Sequence, residues 1–215
     1  MNVVLATQSP LKVKVVEQFY TDHEFGFHAD LLGTAVERGT IPKVRTLATT
    51  TKFVQPLGRA EAALCLRQRL SQAAEHADAD TVLLLALENF IETVDGGGYR
   101  DACYLAVRRP YYANTRFARS TDAFSVPLPH ALDDVVTTAF ATAAPMERTC
   151  GELLGEIPEV ARDPRFSPQD WFLAAGSSFD RATQLRSLLD TAAQWLLRPV
   201  HGEPPASDVM TIKSL

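Results

Sequence analysis

The sequence is poor in the residues that build disulfide frameworks and metal sites. Its 215 residues include three cysteines, Cys65, Cys103 and Cys150, which lie far apart and form no C-x-x-C pair. This odd number and wide spacing argue against a disulfide framework and indicate a reducing, intracellular compartment. The five histidines show no H-E-x-x-H or other ligand spacing, so a zinc site is not predicted either.

Long apolar runs and targeting signals are also missing. No stretch reaches the roughly 18 apolar residues that a membrane span needs, and no basic segment followed by an apolar core opens the chain. The last three residues, Lys213-Ser214-Leu215, hold the letters of a peroxisomal Ser-Lys-Leu signal in the wrong order. We therefore predict a cytoplasmic protein without a membrane partner.

The sequence also lacks an excess of basic residues. The chain has 21 Lys and Arg against 26 Asp and Glu, a formal net charge of -5. Proteins that bind nucleic acid usually present a basic face that releases counterions from the phosphates, so no nucleic-acid partner is predicted. With 46% hydrophobic and 22% charged residues, the composition is that of an ordinary globular protein, which can still bind a nucleotide locally.

Predicted strands and helices alternate along the chain. This alternation predicts a mixed α/β fold in a single domain over 1–199, followed by a tail over 200–215. Apolar runs predict a strand at 3–6 and a buried strand at 81–87 that ends at Glu88. Other patterns predict helices over 59–77, 131–144 and 185–196, an extended or irregular segment over 30–52, a hairpin with a glycine turn over 91–107, and a strand over 171–175.

The most informative segment is the turn that follows the first strand. Thr7-Gln8-Ser9-Pro10-Leu11-Lys12 connects that strand to a helix with apolar positions at a period of 3.6 residues. Ser9 is a suitable cap and Pro10 is tolerated in a first helical turn. Because a helix start carries unpaired N–H groups and a partial positive charge, this turn with Lys12 is a candidate phosphate site. A merely structural capped turn remains the alternative.

Most common catalytic motifs are missing. The chain has no G-x-S-x-G elbow, and Gly96-Gly97-Gly98 lacks the G-x-G-x-x-G frame, so it is interpreted as a turn. Acidic residues are better candidates for chemistry. If Glu37 and Glu88 both border a cleft above Lys12, they can hold a divalent cation against a phosphate chain; separately, each is a solvated carboxylate.

Several short motifs follow one another in a characteristic order. They are Ala6 to Lys12, Ala35-Val36-Glu37-Arg38-Gly39, Gln55-Pro56-Leu57-Gly58 with Glu61, Arg67 and Arg69, Glu88-Asn89, Ala118-Arg119-Ser120 before Val126 to Pro129, and Gly176 with Arg181. This set, from Asn2 to about Pro199, resembles the inosine/xanthosine triphosphatase family. These phosphatases of non-canonical purine nucleoside triphosphates are related to the ITPase and Maf house-cleaning enzymes. A Maf-type enzyme shares the Ser-Pro turn, but the Val-Glu-x-Gly and Gln-Pro-x-Gly segments favour the triphosphatase branch.

The resemblance implies an elongated mixed β-sheet flanked by helices, with a nucleotide groove between two lobes and commonly a homodimer. Its chemistry would be Mg²⁺-dependent hydrolysis of ITP or XTP, with Mn²⁺ as an alternative metal. Lys12 and Glu88 would be catalytic, and Glu37 and Glu88 would position the metal. The substrate would be bound by Thr7, Gln8, Ser9, Lys12, Arg69, Asn89 and Arg181.

Two departures from the family pattern leave the activity open. Phe90 stands where the family usually has glycine, so its ring would block the substrate or line a changed base pocket. The late Lys-x-Gly-Ala-Ile-Gly segment, expected near the nucleotide, is replaced by Phe166 to Trp171. Two alternatives therefore stand beside the triphosphatase: a catalytically silent nucleotide-binding or scaffold protein, and a Maf-like nucleotide pyrophosphatase of other specificity.

Overall fold

A long antiparallel hairpin forms the centre of the sheet. Strands β3 (Thr81–Thr93) and β4 (Tyr99–Arg108) are paired from Leu84 opposite Arg108 to Thr93 opposite Tyr99. Gly96, Gly97 and Gly98 all have positive φ, which glycine adopts without strain, and Val94 N donates to Gly98 O at 3.1 Å. The predicted glycine-turn hairpin is confirmed, in a computed structural model that describes residues 2–22, 41–110 and 115–196.

One boundary in this hairpin was predicted wrongly. The strand expected to end at Glu88 continues to Thr93 without interruption, so Glu88 lies inside a 13-residue strand. The charged residues Glu88 and Glu92 fall on one face of that strand because side chains alternate along it. The apolar pattern therefore predicts too short a strand, because the buried carboxylates that interrupt the pattern are stabilised by arginines of a neighbouring helix.

The remaining strands complete a mixed sheet in the order β2-β1-β3-β4-β5, with β6 paired to β4. Strand β1 is parallel to both of its neighbours, whereas the pairs that involve β4 are antiparallel. These strands are β1 (Asn2–Leu5), β2 (Lys43–Thr46), β5 (Thr115–Arg119) and β6 (Val126–Pro127). The mixed α/β fold predicted from the sequence is confirmed.

Helices cover both faces of the sheet. Helix α1 (Pro10–Asp22) and helix α6 (Arg181–Leu196) pack together on one face, in a core with Leu5, Leu85 and Leu105. Helix α2 (Gly58–Glu75) packs on the other face. The chain therefore changes face after β1, between α1 and α2, and such switch points leave a crevice outside the carboxyl ends of the parallel strands.

A third apolar cluster covers the far part of the hairpin around Ile91. It is built from helices α3 (Asp133–Thr142), α4 (Cys150–Leu154) and α5 (Pro158–Ala161), with the 3₁₀ turns Asp122–Phe124 and His130–Leu132 nearby. Trp171 and Phe172 are fully buried there. The strand predicted over 171–175 was wrong: Ala175 N donates to Trp171 O at 2.9 Å, which closes a helical type of turn.

Three sequence predictions lie outside the described residues: Glu37 with its motif, the tail over 200–215, and residues 30–40 of the extended or irregular segment over 30–52. Among the helices that the structure describes, none is both long enough and apolar enough to span a bilayer.

Candidate functional site

A cleft of about 350 Å³ opens at the carboxyl end of β1, at the switch point of the sheet. Its walls come from the β1–α1 turn, from β3 and β4, from α4 and the loop before Trp171, and from the first residue of α6. The polar residues at the cleft that matter most are Ser9, Lys12, Glu88, Asn89, Asp101 and Arg181. The fold thus brings together three predicted segments that are far apart in sequence: the β1–α1 turn, the Glu88-Asn89 pair and Arg181.

Lys12 lies in the first turn of α1 and donates from Nζ to the Leu87 carbonyl at 2.8 Å. Burial lowers the pKa of Lys12 below its ordinary value of 10.5, while the neighbouring Glu88 carboxylate opposes that shift. An ammonium has three donors, and the described part of the chain uses one of them. Lys12 can therefore donate further hydrogen bonds to an anion in the cleft.

The backbone N–H groups around Lys12 are also available to an anion. Val13 N donates to Ser9 O at 3.0 Å, the first bond of the α1 pattern. The N–H groups of Leu11 and Lys12 precede that bond and have no intrahelical acceptor, as in any first turn. Thr7 has a structural part in this turn, because its Oγ1 accepts from Ser9 N at 3.2 Å.

Glu88 is buried, with 6% of its surface exposed, and is held by one arginine. Arg69 Nε of α2 donates to Glu88 Oε2 at 2.6 Å, and Arg69 Nη1 donates to Thr49 Oγ1 at 2.6 Å. Thr49 Oγ1 in turn donates to the Ala6 carbonyl at 3.2 Å. This series of contacts fixes the Glu88 carboxylate relative to the end of β1, while Glu88 Oε1 has no hydrogen-bond partner within the described ranges.

A second polar network lies on the opposite face of β3. The buried Asp101 carboxylate accepts from Asn89 Nδ2 at 2.9 Å through Oδ1 and from Arg181 Nη2 at 2.9 Å through Oδ2. Burial raises the pKa of Asp101, and the Arg181 guanidinium opposes that shift most strongly. Gln184 Oε1 accepts from Asn89 Nδ2 at 3.0 Å, so the amide of Asn89 is held from two sides.

Two atoms of this network have no partner among the described residues. They are Asn89 Oδ1, an acceptor, and Arg181 Nε, a donor, and both are buried. Buried polar groups are almost always hydrogen-bonded, so such exceptions call for an explanation. Both residues lie at the cleft, which makes a bound group there the simplest explanation.

The cleft was also tested as a magnesium site. No group of three metal-ligating side chains occurs among residues 2–22, 41–110 and 115–196, so a metal site made of protein ligands alone is not found there. Mg²⁺ is commonly held by one or two carboxylates together with substrate phosphates. The partnerless Oε1 of Glu88 beside Lys12 fits that second arrangement.

Phe90 does not enter the cleft. It is fully buried against α2, with its ring centroid 4.6 Å from that of Tyr104, and it lies in the core cluster with Ala62 and Leu66. The expectation that this ring would block the substrate or line a base pocket was wrong. Strand alternation is the reason, because position 90 shares the α2-facing side with Glu88 and is filled by apolar packing.

The divergent segment from Phe166 to Trp171 does lie at the cleft, as its place in the motif order indicated. Pro168, Gln169 and Trp171 contribute to its wall. The loop sits directly on α4, since a Cβ added to Gly151 would be 1.9 Å from the Pro168 carbonyl oxygen. Gly151 is therefore required for this close approach.

The predicted site residues divide into three groups. Ser9, Lys12, Glu88, Asn89 and Arg181 lie at the cleft. Thr7 and the exposed Gln8 are not part of its wall, and Arg69 acts behind Glu88 rather than in the cleft. Sequence reasoning gave no site role to Gln55, Asp101 and Gln184. An aspartate at the start of the apolar run Ala102 to Val107 was the available signal for Asp101.

No protein-family model matches the chain, and no curated protein matches it. Among solved structures, the fold is similar to that of protein VC0702 from Vibrio cholerae, with a TM-score of 0.63. The sequences are 15% identical, and the match covers 93% of this chain and 97% of that chain. At this level of identity the similarity supports the mixed α/β fold alone.

Proposed function

We propose that this protein hydrolyses non-canonical purine nucleoside triphosphates, such as ITP and XTP, with Mg²⁺ as its metal, or Mn²⁺ in its place. The observation that carries the proposal is one cleft in which Lys12 and the first turn of α1 lie beside the Glu88 carboxylate. In this proposal the fold is the elongated ITPase-like form. The cleft is its nucleotide groove, between a lobe around β1 and a lobe around Ile91.

Each cleft residue has a distinct part in this reaction. The N–H groups of Leu11 and Lys12 and the Lys12 ammonium bind phosphate oxygens and stabilise the charge that develops on them as water attacks in line. Glu88 would hold the metal, together with Glu37 as the family resemblance implies, and the metal would neutralise charge on phosphate oxygens when bound. Arg69 is a positioning residue, because it contacts Glu88 and the Thr49 hydroxyl.

A specific observation favours a second candidate, a silent nucleotide-binding protein. The Arg69 guanidinium already neutralises Glu88, and Lys12 Nζ already has an acceptor in Leu87 O. The charge of Glu88 is thus balanced without a ligand, and such pairing is compatible with binding that has no turnover. Nucleotide binding by the same cleft is common to both candidates.

The decisive experiment is hydrolysis of ITP, XTP, GTP and ATP by the purified protein, with and without Mg²⁺. Orthophosphate and pyrophosphate are detected separately, since pyrophosphate would indicate cleavage after the α-phosphate, as in the Maf-like alternative. We expect Mg²⁺-dependent turnover of ITP and XTP above that of ATP. Binding of ITP without turnover of any nucleotide by well-folded protein would favour the silent protein instead.

The quaternary arrangement belongs to the same proposal. We expect a homodimer in the cytoplasm, with a nucleoside triphosphate as the small-molecule partner. Light scattering at micromolar concentration measures the mass directly, and a mass of one chain would contradict the dimer without affecting the proposed chemistry.

A further inference from the structure

The Phe124 carbonyl fixes the orientation of the Gln184 amide, and Gln184 in turn fixes that of the Asn89 amide. The Phe124 carbonyl can only accept, so the group that meets it at 2.8 Å must be Gln184 Nε2. Gln184 Oε1 therefore faces Asn89, which must present Nδ2 to it. The second hydrogen of that Nδ2 goes to Asp101. Asn89 Oδ1 is consequently left as a buried acceptor without a partner in the described structure, on a residue of the cleft wall.

Arg181 is held in a comparable way. Its Nη2 donates to Asp101 Oδ2, its backbone N donates to Asp170 Oδ1 at 3.0 Å, and its guanidinium carbon lies 4.7 Å from the Phe172 ring centroid. Its buried Nε has no partner in the described structure. One Asp101 carboxylate thus fixes two neighbours, each of which offers one unsatisfied polar atom.

The chemistry of these two atoms restricts what can bind them. A phosphate oxygen is an acceptor, so it cannot satisfy Asn89 Oδ1. A metal ion is disfavoured because Arg181 Nε–H is a hydrogen-bond donor and cannot ligate a cation. A hydroxyl group both donates and accepts, so a single O–H has the hydrogen-bonding capacity that both atoms lack, and both side chains contact the same Asp101 carboxylate.

We infer that Asn89 Oδ1 and Arg181 Nε form a hydroxyl subsite at the inner end of the cleft. The hydroxyl comes from a bound water or from the ribose of the nucleotide, and the latter source depends on the proposed function. Asp101 and Gln184 are positioning residues for this subsite, because they contact Asn89 and Arg181 rather than the ligand.

The first test needs no catalytic activity. In a high-resolution crystal structure of the wild-type protein without nucleotide, we expect one ordered water oxygen at about 2.7–3.2 Å from both atoms. Absence of any oxygen at that point, or an Asn89 amide turned to place Nδ2 at the cleft, would overturn the subsite. This result is independent of whether any nucleotide is hydrolysed.

The second test separates the two sources of the hydroxyl. Calorimetry compares ITP with 2′-deoxy-ITP and 3′-deoxy-ITP in EDTA, where metal-dependent turnover is absent. If a ribose hydroxyl occupies the subsite, the analogue that lacks it binds about tenfold more weakly, as expected for one lost hydrogen bond to a charged group. Equal dissociation constants assign the subsite to water, which then remains beside the nucleotide in a crystal of the complex.

The variant Asn89→Leu tests whether the Asn89 amide oxygen is responsible for either result. With a ribose in the subsite, Asn89→Leu removes the difference between ITP and the weaker deoxynucleotide. With water, it removes the ordered oxygen from the crystal structure of the protein. Gln184→Met is the matched control, since it removes one of the two acceptors of Asn89 Nδ2 while Asp101 Oδ1 still holds the amide in its orientation. Equal effects of the two variants, or none from Asn89→Leu, would overturn the inference.

Failure of the proposed function gives a different pattern. Wild-type protein would then turn over no nucleotide, while the ordered oxygen at Asn89 and Arg181 would still be present. If Asn89→Leu does not fold, the crystal structure and the wild-type comparison of ITP with its deoxy analogues decide the matter.

Discussion

Two glutamates four residues apart on β3 have the same burial and the same face, but different surroundings. Glu88 is 6% exposed and has one arginine, with Oε1 left without a partner in the described ranges. Glu92 is 5% exposed and is surrounded by the guanidinium groups of Arg59, Arg100 and Arg119, which occupy both of its oxygens.

The difference shows what distinguishes a candidate site from a structural ion pair. A buried carboxylate with an arginine occurs at both positions, so that pairing alone carries no functional information. Glu88 adds remaining hydrogen-bonding capacity and a cavity to receive a ligand. The network around Glu92 is saturated, and Glu92 does not contribute to the cleft wall.

The largest effect is expected for Glu88→Gln. The amide has nearly the same shape but no charge for a cation, so Mg²⁺-dependent turnover of ITP should fall by about a hundredfold. The loss of the Arg69 pair should cost about 2 kcal/mol of stability, because the Arg69 guanidinium, only 16% exposed, loses its counter-charge but keeps an acceptor in the amide oxygen. Steady-state kinetics and thermal unfolding measure the two effects. An unchanged rate would remove Glu88 from the mechanism.

Glu92→Gln should show the converse pattern. It leaves three arginines without their common counter-charge, which should lower the free energy of unfolding by about 3 kcal/mol. Urea titration measures this loss, and the turnover rate per folded molecule should stay at the wild-type level. A rate that falls as far as in Glu88→Gln would contradict the contrast between the two carboxylates.

The third prediction concerns the close contact between Gly151 and Pro168 in the wall of the cleft. Gly151→Ala places a methyl group against the Pro168 carbonyl, so the loop over 167–170 must move. We expect a loss of about 2 kcal/mol in stability and weaker ITP binding. Gly155→Ala in the same region is the control, because its added Cβ would lie at an ordinary 3.4 Å from the nearest atom. Equal stabilities would contradict the tight contact.

The smallest effect concerns pH. Burial lowers the pKa of Lys12 from 10.5, so between the lowered pKa and 10.5 the folded protein holds fewer protons than the unfolded chain. Stability should therefore rise with pH in this window, whereas triphosphate affinity should fall as Lys12 loses its charge. The affinity should change by about tenfold across the window.

Lys12→Arg is the matched control for that pH dependence, since a guanidinium stays charged throughout. Calorimetric titration of ITP at several pH values should show no such decrease in this variant. Lys12→Ala should weaken ITP binding more than inosine binding. Equal losses for the nucleotide and the nucleoside would assign Lys12 a structural part instead of a phosphate contact.

Local patterns predicted much of the fold. The β1–α1 turn, the glycine hairpin and the helices on both faces are confirmed because each depends on neighbouring residues: proline in a first turn, glycines at positive φ, and apolar residues at helical spacing. The strand through Glu88 and the turn over 171–175 were predicted wrongly. In both cases tertiary partners, Arg69 for Glu88 and the third apolar cluster for Trp171, outweigh the local pattern.

The candidate site was only partly predictable for the same reason. Motif order indicated Lys12, Glu88, Asn89 and Arg181, which the fold places at one cleft. It did not indicate that Phe90 packs away from that cleft or that Arg69 lies behind Glu88. It included Gln55 in a motif but gave it no site role; Gln55 connects the cleft to the third cluster by accepting from Cys150 N at 3.2 Å.

By itself, the sequence determined most element types, the absence of common metal and nucleophile motifs, and the cap residue and proline of the turn before α1. These properties depend on residue type and short spacing, which the chain states directly. Only the tertiary structure decided which carboxylate is saturated and which keeps a partnerless oxygen, and which way the Asn89 amide points. Those outcomes depend on hydrogen bonds between residues up to 95 positions apart, and no local pattern encodes them.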